Sequence, residues 1–219
     1  MSAGPFEQFV ADRSAGLLQT AYLLTGDRVE ARDLLTGALI GTERSWERFA
    51  GQQEATTATR REMVAAHTNW RRASRVGDLL ADSPALANAA GFPGFARRPS
   101  DPGPPDEVSI GLARLAPRLR ATLVLRYGAG LSVADTAEAL GSPADTVTSD
   151  LVRGLDALGT DGTRLARDLA RRAQQISAAP EDVLGSVRVG ARDQHGHRLG
   201  LLVLAAVLVA IVVLVALNL

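Results

Sequence analysis

The sequence of 219 residues predicts an all-α protein: two small helical domains joined by a proline-rich linker and followed by one C-terminal transmembrane helix. Three observations carry that reading. Apolar residues recur at three- and four-residue spacing between helix-capping residues, six of the ten prolines fall within residues 82–107, and the last 21 residues, Leu199 to Leu219, hold no charge. No segment needs a strand.

The first domain is read as residues 1–81. Phe6, Phe9, Val10, Leu17, Leu18 and Ala21 trace one helix face that stops at Gly26, and Asp27 with Glu30 has the pattern of a capping box for the next helix. From there Leu34, Leu35, Ala38, Leu39, Trp46 and Phe49 run along one apolar face for about six turns. A third helix, Thr56 to Arg75, carries Met63, Val64, Ala66 and Trp70. Residues 82–107 are the linker, where a helical period is never sustained.

The second domain, residues 108–160, starts a helix after Pro117 with Leu119, Leu123 and Tyr127 on one side and breaks at "GAG". Two more helices follow, for which Ser132 with Asp135 and Ser142 with Asp145 repeat a capping signal and Pro143 takes the first helical position of the second. Gly141 turns between them. Val133, Ala137 and Leu140 are expected to pack on Val147, Leu151 and Leu155, as a helix-turn-helix requires.

Residues 161–198 form a basic amphipathic helix and a juxtamembrane segment. Leu165, Leu169 and Ile176 share a face, Arg164, Arg167, Arg171 and Arg172 lie toward others, and Thr163 is the expected cap. At about 1.5 Å per residue the run 199–219 spans roughly 30 Å, the thickness of a bilayer core. Arg188, Arg192 and Arg198 precede it, so the N-terminal body is expected in the cytoplasm, on a single-pass protein of the inner (cytoplasmic) membrane.

Composition narrows the function. Acids and bases balance at 24 each, so no global field draws the chain to nucleic acid and any attraction must be local. Every base is arginine, and cysteine is absent. With no P-loop, dinucleotide fingerprint, nucleophile elbow or metal-ligand cluster, neither an enzyme nor a cofactor or metal site is expected. His195 and His197 are read as part of a polar juxtamembrane turn.

Local charge is uneven. The third helix sets Arg60, Arg61, Arg71, Arg72 and Arg75 against Glu62, a net of +4, with Trp70 among the cations. Arginines offer phosphate contacts and the indole a stacking face for an unpaired base, while the plainer reading is a solvated basic face over a core tryptophan. Between Leu131 and Leu158 the sign reverses. Asp135, Glu138, Asp145, Asp150 and Asp156 face only Arg153, a net of −4, across a helix-turn-helix whose second half normally enters DNA.

Taken in order, "FEQFVADRSAGLLQTAYLLTGDRVEARDLLTGAL", "REMVAAHTNWRR" and "LAPRLRATLVLRYGAGLSVADTAEALG" resemble region 2, its promoter-melting end and region 4 of an actinobacterial extracytoplasmic-function sigma factor of the sigma-70 superfamily. The resemblance runs from about Phe6 to Leu158. It implies two partners, RNA polymerase core and promoter DNA. Core docking is implied through Asp33, Leu34 and Thr36, although Thr36 and Gly37 stand where a glutamine and a glutamate are usual. DNA contact is implied for Arg60, Arg61, Trp70, Arg71, Arg72 and Arg75, then for Arg118, Arg126, Ser142, Asp145, Thr146, Thr148, Ser149 and Arg153. A carboxylate at Asp145 or Asp150 has cytosine N4 as its base partner, provided cations elsewhere hold the phosphates. Two expectations stay open: a membrane-tethered initiation regulator held through 199–219, or a divergent protein-interaction module of anti-sigma or adaptor type with little DNA binding. An anti-sigma or other regulatory protein is a further expected partner, and the segment before the span is read either as an internal restraint or as a surface helix near anionic lipid.

Overall fold

A computed structural model of the chain describes the backbone of residues 4–81 and 100–190, with side chains over 4–68 and 100–190. Among the described residues there is helix and no strand.

Helix α1 (Pro5–Thr25) starts on a proline, whose fixed φ suits a first helical turn, and ends at Gly26, whose φ of 80° is left-handed. Phe6, Phe9, Val10, Leu17, Leu18 and Ala21 are buried as expected, but Tyr22, Leu23 and Leu24 are all buried too. A helix end covered on every side lies in the middle of a molecule, and α1 does. Asp27 caps α2 (Arg28–Arg44), accepting from the N–H groups of Val29 and Glu30 at 2.8 and 2.9 Å.

The six-turn apolar face is shorter than expected. The α-helix stops at Arg44, and Trp46 begins a 3₁₀ turn (Trp46–Arg48). That break seats the Trp46 ring 5.5 Å from Phe6 and 5.2 Å from Phe9, with Phe49 edge-on behind it, an aromatic cluster that a continued α-helix would carry past the end of α1. Helix α3 (Gln52–Ala81) extends beyond the expected Thr56–Arg75 at both ends, and buries Ala55, Met63 and Val64. Inside the body the Thr42 and Thr59 hydroxyls meet at 2.9 Å, one donating to the other, and each lies within hydrogen-bond reach of the carbonyl four residues back.

A helix absent from the sequence reading, α4 (Glu107–Arg114), opens the second body on a capping box between Asp106 and Ser109. Helix α5 (Pro117–Leu123) then widens into one π turn (Val124–Gly128), with the Ala129 N–H on the Val124 carbonyl. Helices α6 (Val133–Leu140) and α7 (Ala144–Leu158) form the helix-turn-helix, joined at Gly141 with φ 58°. The Ser132–Asp135 box forms, whereas Ser142 does not cap α7: Pro143 occupies the cap in extended conformation and no side chain bonds the first turn. Helix α8 (Gly162–Ala173) is capped by Asp161 rather than Thr163, and its Leu165, Leu169 and Ala173, followed by Ile176, bury their side chains in the protein. A last helix, α9, covers 180–190.

The two bodies share one hydrophobic core. Gly128 lies so close to α1 that a Cβ there would sit 2.7 Å from Leu23 Cδ1. Beside it Arg120, 3% exposed, donates from Nε and Nη2 to the Leu23 carbonyl at 3.2 and 3.0 Å, an orphan acceptor at the end of α1. Helix α3 packs along α6, which brings the first body against the helix-turn-helix. Among the described residues no helix is long and apolar enough to cross a membrane; the run 199–219 lies outside them.

Candidate nucleic-acid interface

The outward face of α7 carries Asp145, Thr146, Thr148, Ser149, Val152 and Arg153, all exposed. Two of its hydroxyls are already engaged, Thr148 donating to the Ala144 carbonyl and Ser149 to the Asp145 carbonyl at 3.0 and 2.9 Å. Val152 is 56% exposed. Such a face has threonine, serine, one arginine and one aliphatic group for base edges, but Asp145 and Asp156 oppose the phosphates around it.

Asp150 is not part of that face. Its side chain is 4% exposed and accepts from Arg118 Nε at 2.7 Å, with Arg153 Nη1 at 3.7 Å. Arg118 also donates from Nη2 to Ser142 Oγ at 3.0 Å. Arg118, Ser142 and Asp150 therefore meet as a brace that ties α5 to the start and middle of α7. Burial removes Asp150 from base reading, and pairing it with Arg118 cancels one of the five acids. Arg126 is similarly occupied, donating to the Leu131 carbonyl at 2.9 Å with its guanidinium 5.5 Å from the Tyr127 ring, so it holds the π turn.

On α3, Arg61 is exposed and Arg60 is half-buried, its Nε without a hydrogen-bond partner among the described residues. Burial, then the nearby Arg13, lower the Arg60 pKa, and Asp135 on α6 opposes them. Arg60 thus sits where the basic helix meets the helix-turn-helix. Trp70, Arg71, Arg72 and Arg75 stand on α3, but their side chains lie outside the described residues. On α2, Asp33 is exposed, Leu34 packs partly on the core, and Thr36 is half-buried in a groove facing α9.

Sequence reasoning missed the groups that hold these faces together. Asp27 Oδ2 accepts from Ser100 Oγ and the Asp101 N–H, both at 2.6 Å, while Arg28 pairs with the Asp101 carboxylate at 2.8 Å. Burial pushes the Asp27 carboxyl up, but the hydrogen bonds from Ser100, Glu30, Asp101 and Val29 outweigh it and hold it below the ordinary value. Arg172, 3% exposed, lies 5.1 Å from the Tyr22 ring centroid and donates to the carbonyls of Pro102 and Pro104 and to Asp106. The Tyr22 hydroxyl is 3.1 Å from the Pro102 carbonyl and 3.2 Å from Gln175 Oε1. One signal was available: Arg172 follows Leu165 and Leu169 in the apolar phase of α8, so its buried position is the one its spacing dictates.

Residues 111–158 match the family described as Sigma-70, region 4. The chain is 33% identical over 173 residues to the RNA polymerase sigma-E factor of Streptomyces coelicolor, covering 77% of this chain and 90% of that protein. It is 34% identical over 170 residues to the RNA polymerase sigma-E factor of Streptomyces avermitilis, covering 77% and 89%.

Proposed function

Since the chain belongs to the extracytoplasmic-function type of RNA polymerase sigma factors, which act in transcription initiation and are not enzymes, we propose that it is a membrane-tethered initiation regulator. Its α2 face at Asp33, Leu34 and Thr36 docks on core polymerase. The arginines of α3, with Trp70, hold promoter DNA as it opens, and the outward face of α7 contacts the upstream element through Asp145, Thr146, Thr148, Ser149 and Arg153. The observation that carries this reading is the helix-turn-helix α6–α7, formed inside the span that matches region 4 and packed against the basic helix. Leu199–Leu219 anchors the body at the cytoplasmic membrane, a part of the proposal supported by the charge-free run and the arginines before it.

The test is binding of the full chain, in detergent micelles, to purified core polymerase, followed by transcription from a linear promoter template. Core binding with promoter-dependent transcripts is the expected result; no core binding at low salt refutes it. For the anchor, release of the intact protein from membranes by high salt alone refutes a spanning helix.

A second reading, a protein-interaction module of anti-sigma or adaptor type, draws on one observation, the acidic outward face of α7 with Val152 exposed at its centre. Authentic phosphate contacts make promoter affinity fall steeply as salt rises, and a flat dependence favours this second reading.

A further inference from the structure

We propose that α9 is an internal cap on the polymerase-docking surface, so that the chain restrains itself and core polymerase competes with α9 for one groove. The inference rests on the assignment of the α2 face to polymerase made above.

Helix α9 lies against α1 and α2, although more than a hundred residues separate it from them in sequence. Val183 and Val187, one turn apart, are 7% and 1% exposed, and Leu184 packs partly on the same core. Beside Val183 a groove runs between the two elements, walled by Leu18, Arg32, Leu35 and Thr36 on one side and by Asp182 and Val183 on the other. Farther along, Arg32, Asp33 and Thr36 face Asp182, Ser186 and Val189 across the same groove. At the end of α9 the backbone comes closer still: a Cβ on Gly190 would lie 3.0 Å from Ile40 Cδ1 and 3.6 Å from Thr36 Cγ2. On its flank Arg188 Nη2 is 3.5 Å from Glu7 Oε1 of α1. Two of the three residues assigned to docking, Asp33 and Thr36, therefore line the groove of which α9 forms the opposite wall.

The seam is built to be displaced. Its fully buried anchors are two valines, the intervening positions include Gly185 and Ser186, and the Arg188–Glu7 pair is exposed. An exposed pair of that kind adds little to stability. A partner offering a larger apolar surface to Leu18, Leu35 and Ile40 has the advantage once α9 lifts.

The sequence has no native cysteine, so a single engineered pair reports cleanly. Thr36→Cys with Gly190→Cys, in the full chain in detergent micelles, places two thiols within disulfide reach across the groove. Core polymerase is titrated against the oxidised and reduced forms, with cross-linking read by mass. The oxidised form is expected to bind core at least about tenfold more weakly than the reduced form, and Val187→Asp, which loosens α9, at least about tenfold more tightly than the parent chain, each a difference of about 1.4 kcal/mol. Circular dichroism checks that Val187→Asp keeps its helix content. A pair that will not oxidise, or oxidised, reduced and Val187→Asp chains that all bind core alike, overturns the cap while leaving the sigma-factor reading intact. If none of the forms binds core, the docking assignment beneath the cap fails instead.

Discussion

Replacing Asp27 with alanine removes four hydrogen bonds at once and releases the returning chain from α2. One carboxylate oxygen caps α2 through Val29 and Glu30, and the other holds Ser100 and Asp101, in a side chain only 6% exposed as a residue. Loss of an N-cap costs about 1 kcal/mol. Each hydrogen bond to a charged group contributes about 1.5 kcal/mol at the low end, and the two at Ser100 and Asp101 bring the total to roughly 4 kcal/mol. In a folded unit of this size each kcal/mol moves the melting temperature by about 2–4 °C, so Asp27→Ala is expected to melt about 8–16 °C lower. Asp27→Asn keeps one acceptor oxygen and is expected to lose about half as much. The folded carboxyl titrates below its unfolded value of about 3.9, so its contribution is complete above that pH and disappears as pH falls through the lower folded value. Melting curves by circular dichroism, from neutral pH downward, should therefore separate parent and Asp27→Asn near neutrality and bring them together in acid. A melting temperature for Asp27→Ala within about 1 °C of the parent would refute the reasoning.

Three further outcomes are expected. Asp150→Ala breaks the brace to Arg118 and frees a 46% exposed guanidinium; the helix-turn-helix loses about 1–2 kcal/mol in denaturant unfolding while retention on DNA at low salt rises. Gly154→Ala places a Cβ 2.9 to 3.1 Å from three carbons of Leu123, and the overpacking costs about 1–3 kcal/mol against a helix-propensity gain of about 1, a net loss read by thermal melting. Arg61→Ala, a change at an exposed site on α3, lowers affinity for all promoter sequences alike and reduces the salt slope by about one, measured by anisotropy titration.

Local chemistry was the legible part of this fold. Pro117 opens a helix, Gly26 and Gly141 close helices in left-handed conformation, and Ser132 with Asp135 forms its box, because each depends on residues within one turn. Ser142 carries the same local signal, yet Arg118, 24 residues earlier, takes its hydroxyl, and Pro143 in the cap position leaves the first turn of α7 without a side-chain acceptor. Helix α4 is eight residues long and sits among prolines, too short for a period to stand out. The placement of α9 and the burial of Arg120 arise between segments far apart in the chain, where spacing alone is silent. On the candidate interface, charge was read correctly as a total but not as a distribution. Asp150 counts in the sequence as a repelling acid, whereas in the structure it is an inward strut.

Arg172 has a consequence for how the protein comes apart. Its guanidinium touches the Tyr22 ring of α1, the carbonyls of Pro102 and Pro104, and Asp106 at the head of α4, all from α8. No one of these segments leaves without stripping partners from the others, and Arg120 imposes the same condition on the end of α1. Cooperativity then extends across both bodies. In a calorimeter the described part should absorb heat in one peak rather than two, with calorimetric and van't Hoff enthalpies in agreement.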